Sequence, residues 1–140
     1  MELNSLSPCP WPESVMVGDF DENSSPGVTY LGAFATGPSQ ALLGYAVLGR
    51  EKGDGLLMAL IVRLEHRRRG IGSQLLMAVG DCASYLGFDR LRLRVRKSNV
   101  PAIALYEGMS FVQRSVSRKY YANGEDAIVM SARLPLMAKA

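Results

Sequence analysis

Apolar residues recur through one stretch as Ile71, Leu75, Leu76, Ala78, Val79, Cys82, Ala83 and Leu86, the spacing of a single helical face, and the pattern stops at Gly87. Immediately downstream, residues 91 to 96 read Leu-Arg-Leu-Arg-Val-Arg. That strict alternation predicts a strand with Leu91, Leu93 and Val95 on a core face, and Arg92, Arg94 and Arg96 on a wet or functional one. Upstream, Leu56 to Val62 is apolar throughout, as expected of a strand covered on both faces. Strand, amphipathic helix and alternating strand in succession require a helix packed on a sheet.

The remaining elements follow from punctuation. Val28 to Phe34 and Ala41 to Leu48 are β-favouring and flank Thr36-Gly37-Pro38-Ser39, which predicts an antiparallel hairpin. Lys52-Gly53-Asp54-Gly55 reads as the turn into the next strand. Ser98-Asn99 can cap a short helix with Pro101 in its first turn, running through Tyr106 to Gly108. Two last strands, near Phe111 to Ser117 and Ala127 to Leu134, flank the turn Tyr121-Ala122-Asn123-Gly124. Five of the seven prolines fall in the first forty residues, so residues 1–27 read as an irregular lead-in and 28–140 as a single domain.

At 140 residues the chain is one domain's worth, and 48% hydrophobic with 21% charged residues excludes disordered and fibrous classes. No apolar run approaches the roughly 20 residues that a bilayer crossing needs. The first residues lack the basic start and apolar core of a secretory signal, so a cytoplasmic location is expected. There Cys9 and Cys82 would remain thiols, Cys82 acting as a small core hydrophobe and Cys9 as incidental. A lone His66 rules out a histidine-rich metal cage and reads as a solvated side chain. Charge is divided unevenly: residues 1–55 hold seven acids against two bases, and 56–140 hold fourteen bases against six acids. The basic part calls for an anionic ligand. No aromatic-basic module accompanies it, which argues against nucleic acid as the partner.

Chemistry concentrates at Arg67-Arg68-Arg69-Gly70-Ile71-Gly72-Ser73, between the apolar strand and the helix. Glycines there admit a ligand close to the backbone, and the unpaired amides of a helix start suit a phosphate. The three arginines would add charge-assisted hydrogen bonds. The bland alternative is a solvated turn with a close-packing Gly-x-Gly. The spacing matches neither a Walker loop nor a dinucleotide fingerprint.

Arg67-x-x-Gly70-x-Gly72 after an apolar strand resembles the pyrophosphate-binding motif of the GCN5-related N-acetyltransferase (GNAT) family. A second signature follows downstream as Asn99-x-x-Ala102-x-x-Leu105-Tyr106-Glu107 and then Phe111. Pro10-Trp11 and the ending Tyr120-Tyr121-x-Asn-Gly-Glu125-Asp126-Ala127-x-x-Met130 are similar to the RimI-type ribosomal-protein N-terminal acetyltransferases. The resemblance implies an α/β (α+β) fold: a mixed, mostly antiparallel central sheet with flanking helices, whose N-terminal strand and helix are here shortened or missing. It implies acetyl-CoA as cosubstrate and no metal. The pantetheine would pair with the backbone of Leu60, Ile61 and Val62, the pyrophosphate would rest on Arg67, Arg68, Arg69, Gly70, Ile71, Gly72 and Ser73, and Asn99 would contact the cofactor arm. An amide near Leu60 to Val62 would polarise the thioester carbonyl. Tyr106 would be catalytic, protonating the departing thiolate. Tyr120 and Tyr121 would line the acceptor pocket.

Two departures stand out. The RimI type carries a glutamate, taken as general base, at the position of Arg94, and a guanidinium with a pKa above about 12 accepts no proton. Arg94 is thus a substrate-side candidate of another kind, and the readings are separate: a water chain carries the proton to Glu107, Glu125 or Asp126; Arg94 lowers the amine's pKa by repulsion; Arg92, Arg94 and Arg96 form an anion-selecting row; or the face is merely solvated. The shortened front is the second. The implied reaction is direct attack of an amine on the thioester, with a protein or peptide N-terminus, such as that of a ribosomal protein, as acceptor. The alternatives are a small-amine or lysine acetyltransferase and an acyl-CoA-binding module without turnover. No membrane partner is expected, and a homodimer is left open.

Overall fold

The computed structural model describes residues 15–17, 28–35, 41–63 and 70–139. Seven strands form one sheet: β1 (Val15–Val17), β2 (Thr29–Phe34), β3 (Leu42–Glu51), β4 (Asp54–Val62), β5 (Arg90–Arg96), β6 (Val112–Ser117) and β7 (Ala127–Arg133). Their spatial order is β1-β2-β3-β4-β5-β7-β6, and every adjacent pair is antiparallel except β4 and β5. Helix α1 (Ile71–Tyr85) crosses from β4 to β5, and α2 (Val100–Gly108) leads from β5 toward β6. This is the mixed, mostly antiparallel sheet with helices expected above.

Both periodicities are realised. Leu75, Leu76, Val79, Cys82 and Ala83 of α1 are fully buried and pack in one cluster with Leu31, Ala46, Leu48 and Leu57 of the sheet. Gly87, at φ 92, ends the helix as a left-handed residue just beyond its last turn. On β5, Leu91, Leu93 and Val95 are buried in that same core, so the three arginines lie on the opposite face. Asn99 caps α2 by accepting a hydrogen bond from the Ala102 amide at 3.3 Å.

Four expectations are corrected. Residues 1–27 are not wholly irregular: β1 pairs with β2, giving that strand's outer edge a ladder partner. The turn into β4 is shorter than four residues, because Lys52 and Gly53 both adopt positive φ and close a two-residue hairpin of the kind that matches strand twist. β4 is not covered on both faces: Met58 is 56% exposed and Ile61 46%. β4 pairs with β5 only at Gly55, Leu56 and Leu57, and beyond that point the two strands part. Finally, Cys82 is buried as expected but is disulfide-bonded rather than a thiol. Compartment arguments carry no information on which sulfurs meet in space; the other cysteine, Cys9, lies outside the described residues. Among the described residues no helix is long and apolar enough to cross a membrane.

Candidate active site

Past the point where β4 and β5 part, a cleft of about 470 Å³ opens between β4, the start of α1 and α2. One wall is Leu60, Ile61 and Val62 of β4; the floor is Gly70, Gly72 and Ser73 at the start of α1; the far wall is α2, with Asn99, Pro101, Ala102, Leu105 and Tyr106. Ala59, Leu60 and Ile61 of β4 pair with β3 on one side and lie beyond the β4–β5 ladder on the other. They are therefore open to an extended polar chain.

The α1 terminus is left equally receptive. Gly70 precedes the helix at φ 78, supplies no side-chain cap, and the first helical bond runs from the Gln74 amide to the Gly70 carbonyl at 3.0 Å. The amides of residues 71 to 73 therefore carry no intrahelical bond and sit at the positive end of the helix dipole. A side chain on Gly72 would meet Leu105 at 3.5 Å and Val62 at 3.9 Å, filling the gap between the two walls. Glycine there keeps the cleft open.

Tyr106 is 7% exposed, and its ring packs on Phe111 with centroids 5.8 Å apart. Burial, assisted by the neighbouring Tyr121 phenol, pushes its hydroxyl up to about 12. It is protonated throughout the neutral range and, among the described residues, is the ionisable side chain that lines the cleft.

The arginine face is neither a bare anion-selecting row nor freely solvated. Glu51, at the end of β3, accepts two hydrogen bonds from Arg94, at 2.8 and 3.0 Å, and one from Arg92 at 3.3 Å. Arg92 also meets Asp54 at 3.3 Å, and Arg96 meets Glu125 at 3.1 Å. Each arginine thus has its own carboxylate. Arg94 lies 5.5 Å from the Tyr120 ring and Arg96 4.0 Å from the Tyr121 ring, and the two rings meet edge to face at 5.1 Å. Hydrogen bonds from Arg94 hold the Glu51 carboxyl below its ordinary value, and those from Ser98 and Arg96 do the same for Glu125. Burial pushes the Tyr121 phenol up, against the pull of Arg96.

The residues singled out in the sequence thus form two neighbouring groups. Leu60, Ile61, Val62, Gly70, Gly72, Ser73, Asn99 and Tyr106 share the cleft, whereas the Ile71 side chain turns into the core at 8% exposure. Arg94, Tyr120 and Tyr121 form the second group, joined to the first where Tyr121 bears on Tyr106. Arg67, Arg68, Arg69, His66 and Trp11 lie outside the described residues. Asn99 both caps α2 and lines the cleft. Glu51 and Asp54, which flank a turn, carry no motif that would single them out; three arginines on one strand face were the available hint that acids must stand opposite.

Comparison with known proteins agrees with this geometry. The model of the acetyltransferase (GNAT) family matches residues 2–111. The ribosomal protein bS18 alanine N-acetyltransferase of Salmonella typhimurium is 34% identical over 125 residues, covering 87% of this chain and 80% of its own length. An N-alpha-acetyltransferase of Saccharolobus solfataricus is 41% identical over 81 residues, 57% of this chain, and the match spans only about half of that relative, 48% of its length. The crystal structure of the ribosomal-protein alanine N-acetyltransferase from Escherichia coli superposes with a TM-score of 0.70 at 30% identity, covering 84% of this chain and 75% of that one. By sequence and by fold, the chain belongs to the GNAT family of acetyltransferases.

Proposed function

We propose that this chain transfers the acetyl group of acetyl-CoA to the α-amine of a protein or peptide N-terminus. The observation that carries the reading is the fork between β4 and β5, with open strand edge, uncapped helix terminus and a protonated phenol along one cleft. Its largely apolar lining, with Leu60, Ile61, Val62, Pro101, Ala102 and Leu105, suits a pantetheine arm, and the amides of residues 71 to 73 suit a diphosphate. The β4 backbone holds the thioester, Asn99 meets the cofactor arm, and Arg67, Arg68 and Arg69 add charge beside the diphosphate. A neutral amine adds to the thioester carbonyl and the adduct's nitrogen loses its extra proton to water; as the C–S bond breaks and the amide forms, Tyr106 gives its proton to the departing thiolate and regains one from water. Tyr120 and Tyr121 wall the acceptor side. The choice of an N-terminal amine is supported by relatives named for that activity, one of them for alanine on a ribosomal protein.

Thiol release from acetyl-CoA, followed across a panel of acceptor peptides, small amines and N-terminally blocked lysine peptides, tests the assignment. Release with free N-termini, and a Tm raised by about 5–10 °C at acetyl-CoA a hundredfold above Kd, are expected. Release with small amines or lysine alone would displace the N-terminal assignment; a raised Tm with no release from any amine would leave an acyl-CoA-binding module.

A further inference from the structure

Glu51 and Glu125 occupy matching places in two stacks of carboxylate, guanidinium and phenol. In one, Glu125 and Asn123 hold Arg96 at 3.1 and 3.2 Å while Arg96 lies over Tyr121. Those holders come from the loop that carries Tyr121, so that loop orients its own ring. In the other, the holder comes from elsewhere in the chain: Glu51, at the end of β3, grips Arg94 on β5, and Arg94 faces Tyr120. The two partners are 43 residues apart in sequence. A two-pronged grip fixes the plane of a guanidinium, and a fixed plane is what an aromatic face needs in order to settle on it. Tyr120 is 54% exposed and has its edge-to-face neighbour Tyr121 as its other ring contact. Its orientation therefore depends on a carboxylate two strands away from Arg94.

We propose that Glu51 is a positioning residue for the acceptor site: by clamping Arg94 it sets the Tyr120 ring against which the acceptor N-terminus lies, and it takes no part in proton transfer. This rests on the acceptor-side role given to Tyr120 above. A carboxylate accepting three charge-assisted hydrogen bonds has little affinity for a further proton, and its lowered pKa agrees. Arg94 therefore does not select an acidic acceptor; its charge is spent within the protein.

The experiment compares E51Q, R94K and the double variant by steady-state kinetics in both substrates, with the Tyr120 ring followed by NMR in protein carrying labelled tyrosine. Glu51→Gln is expected to raise the acceptor KM about tenfold, leave the KM for acetyl-CoA within about twofold, and keep the pH inflection of kcat. The Tyr120 resonance should move in E51Q and R94K alike, and the double variant should be no worse than R94K alone. A fall in kcat with a displaced pH inflection would make Glu51 a base and overturn the proposal, as would an unmoved Tyr120 signal with unchanged acceptor KM. The ring signal needs no turnover, so it reports on the clamp even if wild-type protein acetylates none of the amines, the outcome that would sink the proposed function instead.

Discussion

A single hydroxyl distinguishes Tyr106 from a packing aromatic. Its ring is secured by Phe111 and the core, so Tyr106→Phe should fold with unchanged stability while losing the hydroxyl to which the proposed function assigns proton donation. Thiol release should slow about a hundredfold in kcat with the KM for acetyl-CoA nearly unchanged, as stopped-assay kinetics at saturating substrates would show. Ser110 carries a different tension. It sits at φ 69, a conformation costly for any residue with a Cβ, and its hydroxyl donates to the Met137 carbonyl at 2.7 Å. Ser110→Gly relieves the first and forfeits the second, leaving stability within about 1 kcal/mol of wild type; Ser110→Ala keeps the strain and loses the bond, costing about 1–2 kcal/mol by urea melts.

Among the elements, β3 and β4 set the shape of the cleft. A Cβ on Gly44 would come within 2.6 Å of the Ile61 carbonyl and 3.1 Å of the Val62 Cα, backbone atoms of the strand that forms the cleft wall. Gly44→Ala should therefore cost about 1–3 kcal/mol and weaken acetyl-CoA binding together with stability, read by thermal melts with and without acetyl-CoA. This coupling shows what the sequence could and could not disclose. The two periodicities of α1 and β5 were legible because each is enforced by burial on one face, and the Gly-x-Gly and Asn99 signals because local backbone chemistry fixes them. The exposed end of β4 was not legible: an apolar run reads the same whether a neighbour covers it or diverges from it. Neither was β1, three residues among prolines, nor the Cys82 bridge, nor the union of Glu51 with Arg94, all of which depend on segments distant in sequence.

Taken as a whole, the molecule has a net charge of +3, but its arginine face is balanced by its own acids. The folded Glu51 carboxyl titrates below its ordinary 4.5, so the pair's contribution to stability is fully present above that pH and is lost as pH falls through the lowered value. Wild type should thus hold its urea midpoint down to about pH 5 and lose it below pH 4.5, and Glu51→Gln should start lower and decline less steeply over that acid range.

The parting of β4 from β5 after three paired residues carries one more consequence. Two diverging ribbons make a wedge that is narrowest where their ladder ends at Leu57 and opens toward Leu60, Ile61 and Val62. Admission is governed by girth before any individual contact is made, so slim amide-bearing thioesters with altered acyl heads should seat as readily as acetyl, while a bulky substituent midway along the arm should be turned away.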